Sequence, residues 1–179
     1  ATLPLDVVIE ATGHPEAGAR HCLKAIESGR HVVLVSKEVD SVIGPYLCAL
    51  ARQNCKVLTP VDGDQPSLLI GLVTWAERLG FNVLAAGKAS EYDFVVDLAQ
   101  ETVSSNGKAT HTPGLQSVWQ PSALSGEDLV ARRAACCGAF SQHLVPDLCE
   151  MQIVANATGL TVDRADFHAP IAHIKELAD

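Results

Sequence analysis

Four short apolar runs, each closed by a polar or glycine turn, constrain this chain more than any other feature. They are Asp6-Val-Val-Ile-Glu10, His31-Val-Val-Leu-Val35, Lys56-Val-Leu-Thr59 and Asn82-Val-Leu-Ala-Ala86. Each is too short for a helix and apolar enough to lie inside a sheet covered on both faces. The stretches between them carry helical periodicity. One helix starts at about Pro15, shows Ala19, Cys22, Leu23 and Ile26 on one face, and stops near Gly29. A second is expected from about Gly44-Pro45, with Leu47, Leu50 and Ala51 inward. The third runs from Gln65 to Leu79 with Leu69, Leu72, Val73 and Ala76 as its stripe and Gly80 as its stop. Strands and helices alternating without long gaps imply right-handed βαβ crossovers and a parallel sheet. The scarcity of aromatics, 4 % of residues, fits a core filled by Val, Leu, Ile and Ala.

The rhythm changes near residue 90. Tyr92, Phe94 and Val96 alternate with Asp93, Val95 and Asp97, and Asn106-Gly107 is a hairpin dipeptide, so a β-ribbon is expected from Glu91 to about His111. A loop follows to Gly126. A helix capped by Ser125 is expected to reach Phe140, another to run from Pro146 to Gly159, and the last twenty residues to hold a short helix at best. The expected fold class is α/β: a partial Rossmann-like parallel sheet with helices over residues 1–90, then a smaller attached α+β segment over residues 91–179, its core incomplete.

The net charge of −8 argues against nucleic acid or an anionic membrane surface as the main partner, because phosphate backbones demand a basic face. No apolar run approaches the roughly 18 residues of a membrane span, and the first six residues carry neither the basic nor the apolar region of a secretory leader. Cysteines at 22, 48, 55, 136, 137 and 149 lack C-x-x-C spacing. They read as buried thiols of a reducing, cytoplasmic setting, and Asn156-Ala-Thr158 as a chance glycosylation sequon. The seven histidines show no metal-ligand spacing.

In an open parallel sheet, ligands bind beyond the carboxyl ends of the strands. The polar residues cluster there: Thr12 and Gly13 after the first strand, Ser36, Lys37 and Glu38 after the second, Asp62 and Asp64 after the third, Lys88 after the fourth. Asp62 and Asp64 flank Gly63 at a helix start. They suit a Mg²⁺ or Mn²⁺ ion, since hard cations take oxygen ligands, while Asp64 alone equally suits a helix N-cap.

Val8-Ile-Glu-Ala-Thr-Gly13, Gly29-Arg-His-Val-Val33 and Ser36-Lys37-Glu38 resemble the second half of the cofactor domain in homoserine dehydrogenases and 1-deoxy-D-xylulose-5-phosphate reductoisomerases. With Val61-Asp-Gly-Asp-Gln-Pro66, Gly87-Lys-Ala-Ser-Glu-Tyr-Asp93 and Val145-Pro-Asp-Leu-Cys-Glu-Met151, the chain is most similar to the bacterial reductoisomerase-like proteins, which often carry a SAF-type domain. The resemblance implies an NAD(P)-dependent oxidoreductase using NADP or NAD. Its implied substrate is a small phosphorylated ketose, 1-deoxy-D-xylulose 5-phosphate, reduced to 2-C-methyl-D-erythritol 4-phosphate in isoprenoid biosynthesis. The alternatives are reduction of an amino acid semialdehyde by a homoserine dehydrogenase-type reaction, and a non-catalytic regulatory domain on the same frame.

By the same resemblance Ala11, Thr12, Gly13, Ser36, Lys37 and Glu38 hold the cofactor, Lys37, Asp62, Lys88 and Glu91 serve catalysis, and Asp62 and Asp64 take the metal. Glu150 and Asn156 are candidates through the resemblance alone. A homo-oligomer is expected. The family's G-x-G-x-x-G cradle is absent, because Gly13-His-Pro-Glu-Ala-Gly18 has the wrong spacing and places Pro15 and Glu16 against the pyrophosphate. The cradle is expected in residues preceding Ala1, the alternative being a natural truncation that cannot hold a dinucleotide unaided.

Overall fold

The computed structural model describes residues 3–119 and 126–176. In chain order the elements are β1 (Val7–Glu10), α1 (Pro15–Glu27), β2 (His31–Leu34), α2 (Lys37–Gln53), β3 (Leu58–Pro60), α3 (Gln65–Arg78), β4 (Val95–Asp97), β5 (Thr102–Ser105), β6 (Lys108–His111), α4 (Gln116–Trp119), α5 (Gly126–Cys136) and α6 (Val145–Thr158), followed by a 3₁₀ turn at Ile174–Glu176. The fold is α/β, with a partial Rossmann-like parallel sheet and a separate small antiparallel one.

The chain divides into two compact units. The first comprises the residues up to Lys88 together with Val145–Val162, and the second Ala89–Leu144 with the residues from Asp163 onward. Helix α6 therefore belongs to the first unit, although sequence order places it in the later segment.

In the first unit, β1, β2 and β3 pair side by side in parallel, with Val8 opposite Val32 and Val33 opposite Thr59. One layer of the core is formed by Val32 and Leu34 of β2, and the other by Cys22, Ala25 and Ile26 of α1 with Val39, Leu47 and Ala51 of α2. Gly18 is needed here because a Cβ at that position would lie 2.6 Å from Val39 Cγ2 and 2.9 Å from the Glu10 carboxyl carbon. The strands were expected to be buried on both faces. Instead Val7 is 49 % and Ile9 68 % exposed, and Val35 and Val57 are exposed too. Successive strand side chains point to opposite faces, and α1 and α2 contact the face that carries Val32 and Leu34.

Three local expectations are corrected. The fourth run, Asn82 to Ala86, forms no strand. Strand β3 has only three residues and ends in Pro60, which has no N–H to extend a ladder, and Leu84 is 88 % exposed with nothing to bury it. Helix α2 starts at Lys37 rather than near Gly44-Pro45, and Pro45 lies inside it. The carbonyl of Ser41, which Pro45 cannot bond, instead accepts Asn156 Nδ2 from α6 at 3.4 Å. On α3, Leu72 faces outward and Val73 carries the burial, because the helix packs on α6.

In the second unit β4, β5 and β6 form an antiparallel meander turned at Asn106-Gly107, both with positive φ, as the ribbon expectation held. Val103, Leu115 and Cys137 are its buried centre, flanked by Phe94 and Phe140 in an edge-to-face pair with centroids 5.8 Å apart. The expected loop contains the short α4, and α5 stops at Cys136, short of Phe140. The Ser125 cap lies outside the described residues. Arg133 is buried at 2 % exposure. It bonds the carbonyls of Val118 and Ile171, pairs in fork fashion with Glu176, and lies 5.1 Å from the Trp119 ring centre. Among the described residues no helix is long and apolar enough to cross a membrane.

Candidate functional site

The carboxyl ends of β1 and β2 are tied together by their own turns. Gly13 adopts a left-handed φ of 65°, and its N–H donates to Ser36 Oγ at 2.9 Å. Ser36 sits at the N-cap of α2 but makes no side-chain cap bond, because its hydroxyl serves Gly13 instead. Thr12 turns the other way: its amide and hydroxyl both donate to Glu10 Oε1, at 3.0 and 2.6 Å. Glu10 is 2 % exposed. Burial pushes its carboxyl up, yet the neighbouring Ser36 hydroxyl and the Thr12 donors more than offset this and hold it below the usual carboxylate range.

Above this turn is an open groove of about 300 Å³. Ala11, Gly13, Ser36, Lys37 and Glu38, five of the six residues expected to hold a cofactor, line it together with Val35, Pro146 and Cys149. Thr12, the sixth, is occupied with Glu10. Nothing lies within 4 Å of where a Cβ at Gly13 would stand, so a side chain there would project into open space that the backbone now leaves accessible.

At one end of the groove five charged groups alternate in sign. Asp64 caps α3, its Oδ1 accepting from Gln65 N at 2.9 Å and its Oδ2 pairing with Lys37 Nζ at 3.2 Å. Lys37, the first residue of α2, also donates to Glu150 Oε1. The other oxygen of Glu150 accepts from Lys88 at 2.9 Å, and Lys88 in turn donates to Asp147 Oδ1. Asp147 and Glu150 lie three residues apart on α6, which puts both on one helix face. Glu150 is 3 % exposed, and each of its oxygens faces a different lysine.

Burial lowers the affinity of Lys37 for its proton, but the bonds to Glu150 and Asp64 outweigh it and raise Lys37 above the usual lysine value. Lys88 behaves alike, with Asp147 and Glu150 outweighing burial. Both therefore remain ammonium ions at neutral pH, acting as donors and electrostatic acids rather than bases.

The remaining expected residues are Asp62 and Glu91. Asp62 is exposed, and its Oδ1 accepts the amide of Gly63 at 2.9 Å. Glu91 belongs to the second unit. The fit for a divalent ion is poor: Asp64 is already held by a helix N-terminus and a lysine. Among the described residues no three Asp, Glu, His or Cys are grouped to hold a metal. Lys37 supplies the positive charge beside Asp64. Asn156 braces the Pro45 site on α2, accepting Gln152 Nε2 at 2.8 Å. Asp147 was not anticipated. The readable signal was Asp and Glu three apart in the first turns of a helix, and partners distant in sequence gave it meaning.

Residues 63–118 match a family model described as Oxidoreductase DRL, catalytic domain. The matched stretch includes Asp64, Lys88 and Glu91. No curated protein matches the chain. The family match supports an oxidoreductase, and the matched segment supplies two of the five members of the ladder, Asp64 and Lys88.

Proposed function

We propose that this chain carries the nicotinamide end and the reacting groups of an NAD(P)H-dependent oxidoreductase that reduces a small carbonyl compound. The observation that carries the reading is the placement of two lysines, Lys37 and Lys88, on one buried carboxylate, with Lys37 also lining a groove floored by an open glycine turn. The groove suits a flat ring and its ribose: the Gly13 backbone can be approached closely, and the Lys37 ammonium offers a polar contact. Residues 1–179 contain no G-x-G-x-x-G run, so the groove accounts for the nicotinamide side and not for the pyrophosphate.

A reduced nicotinamide, when bound, supplies a hydride. The chain's own residues serve the oxygen. Lys37 donates to the carbonyl oxygen, stabilises the negative charge that grows there, and gives it a proton, while Asp64 and Glu150 fix the direction of the ammonium. Lys88, held between Glu150 and Asp147, keeps Glu150 in place beside Lys37.

A small phosphorylated ketose, as in a reductoisomerase-like reaction, is the substrate class that the resemblance carried by Ser36-Lys37-Glu38 and Val61-Asp-Gly-Asp-Gln-Pro66 favours. Reduction of an amino acid semialdehyde is the second reading, favoured by Lys37 standing beside Asp64 where a metal would otherwise bind, since simple hydride transfer needs no ion.

The test is binding of reduced nicotinamide mononucleotide followed by amide chemical shifts. Perturbation centred on Gly13 and Lys37 supports the reading, and a silent groove at saturating ligand sinks it. Activity surviving EDTA selects the semialdehyde type, whereas activity lost and restored by Mg²⁺ or Mn²⁺ selects the ketose.

A further inference from the structure

The outer face of α3 is apolar where a surface helix should be polar. Leu68, Leu72, Trp75 and Leu79 are 59, 57, 61 and 56 % exposed, and Phe81 and Leu84 continue the patch at 67 and 88 %. Their spacing of four, three and four residues is the seam of a helix that packs on another helix, whereas a helix seated on a sheet shows a broader stripe. With about 150–250 Å² for a whole aromatic side chain and somewhat less for leucine, the six expose on the order of 600–800 Å². That reaches the ~800 Å² per partner of a standard interface and exceeds most patches left bare on monomers.

We infer that this face is a homodimer interface in which α3 pairs antiparallel with α3 of a second copy. The seam is self-complementary in that arrangement and in few others. A twofold axis between Val73 and Thr74 sets Leu68 against the partner's Leu79 and Leu72 against the partner's Trp75, and the same contacts recur in reverse. The hole that receives the partner's Trp75 is bounded by Leu68, Gly71, Leu72 and Trp75, four positions that enclose one gap on a helix surface.

Gly71 explains how an indole fits there. It is exposed in mid-helix, where glycine costs about 1 kcal/mol relative to alanine. Nothing lies within 4 Å of a Cβ built on it, so no packing inside this chain requires glycine. A vacancy on the outside surface beside a protruding tryptophan is what a partner tryptophan needs. The antiparallel order also brings Arg78, in the last turn of α3, toward the amino end of the partner's helix, where Asp64 is the N-cap.

Sedimentation velocity on the full chain at micromolar concentration tests this. The expected result is a dimer that Leu72→Glu converts to monomer with unchanged far-UV circular dichroism. Gly71→Leu, which fills the hole but favours helix, should raise thermal stability of the monomer and weaken association at least tenfold. Val42→Glu, at an exposed apolar position on α2, should leave the dimer intact. A wild-type monomer overturns the inference. So does a dimer that survives both α3 substitutions, or one that Val42→Glu dissociates equally, which would mean another surface or general stickiness.

Discussion

A Cβ at Gly44 would stand 2.0 Å from Oδ1 of Asp40, one helical turn earlier in α2. The glycine is there to house a buried carboxyl, at a helix position where alanine would otherwise be favoured by about 1 kcal/mol. Gly44→Ala should therefore destabilise the chain, and adding Asp40→Ala should recover more than the sum of the single changes predicts. Urea unfolding of the three variants measures the coupling.

Asp40 itself is 7 % exposed, and burial pushes its carboxyl up to about 6 from 3.8. Its folded value lies above its unfolded one, so the ionised form is penalised in the fold. The penalty is complete above pH 6 and fades as pH falls toward 3.8. Asp40→Asn should raise stability by about 3 kcal/mol at pH 8 and by little at pH 4. Equal melting shifts at both pH values would refute the burial argument.

The ladder should fail as a unit. Glu150→Gln removes the charge that holds both lysines, and breaking a buried pair from one side costs about 3–5 kcal/mol. Lys37→Met should cost less stability and more turnover, since its side chain is 28 % exposed and faces the groove. Because Lys37 and Lys88 are raised above their unfolded value, their contribution is fully present below pH 10.5 and is lost as pH climbs through their folded values. Alkaline unfolding should begin earlier in Glu150→Gln than in the wild type.

Much of this was legible beforehand, and the misses share a cause. Periodicity located α1, α3, α6 and the meander to within a few residues, because each buries a face with its own spacing. It could not see that Asn156 would supply the hydrogen bond Pro45 removes, so α2 was started at Pro45, a full two turns late. It also ranked Asp62 with Asp64, although only Asp64 faces a lysine. Five of the six residues expected at the strand ends line one groove because the turns after β1 and β2 lie side by side. The ladder was half found because Asp147 and Glu150 lie far along the chain from Lys37 and Lys88.

In the second unit the Arg133–Glu176 fork is the acid-sensitive contact. Hydrogen bonds from Arg133 and the His173 amide bring the Glu176 carboxyl down to about 2 from 4.5. Its stabilisation is present above pH 4.5 and is lost as pH falls toward 2. Trp119, which lies against Arg133, should report this by fluorescence. Glu176→Gln should show the acid-state emission already at neutral pH, and an unchanged spectrum would mean the pair does not hold the tryptophan.

Thiol reactivity should separate the cysteines. Cys55 is exposed, whereas burial pushes Cys22 up to about 12 and Cys137 up to about 11. Iodoacetamide at pH 8 should modify Cys55 within minutes and reach Cys22 and Cys137 only after denaturation, as peptide mass mapping would show.

Helix α6 returns to the first unit after an excursion of some fifty residues through the second. During synthesis the sheet, α1 and α2 can gather as soon as they leave the ribosome, but Lys37 then has Asp64 without Glu150, and Lys88 has yet to meet Asp147 and Glu150. Only when Val145–Val162 has been made does Glu150 arrive to neutralise both. The last-made helix of the unit thus acts as a clasp: ribosome-bound chains halted before it should hold a sheet without a competent site, and those halted after it should hold both.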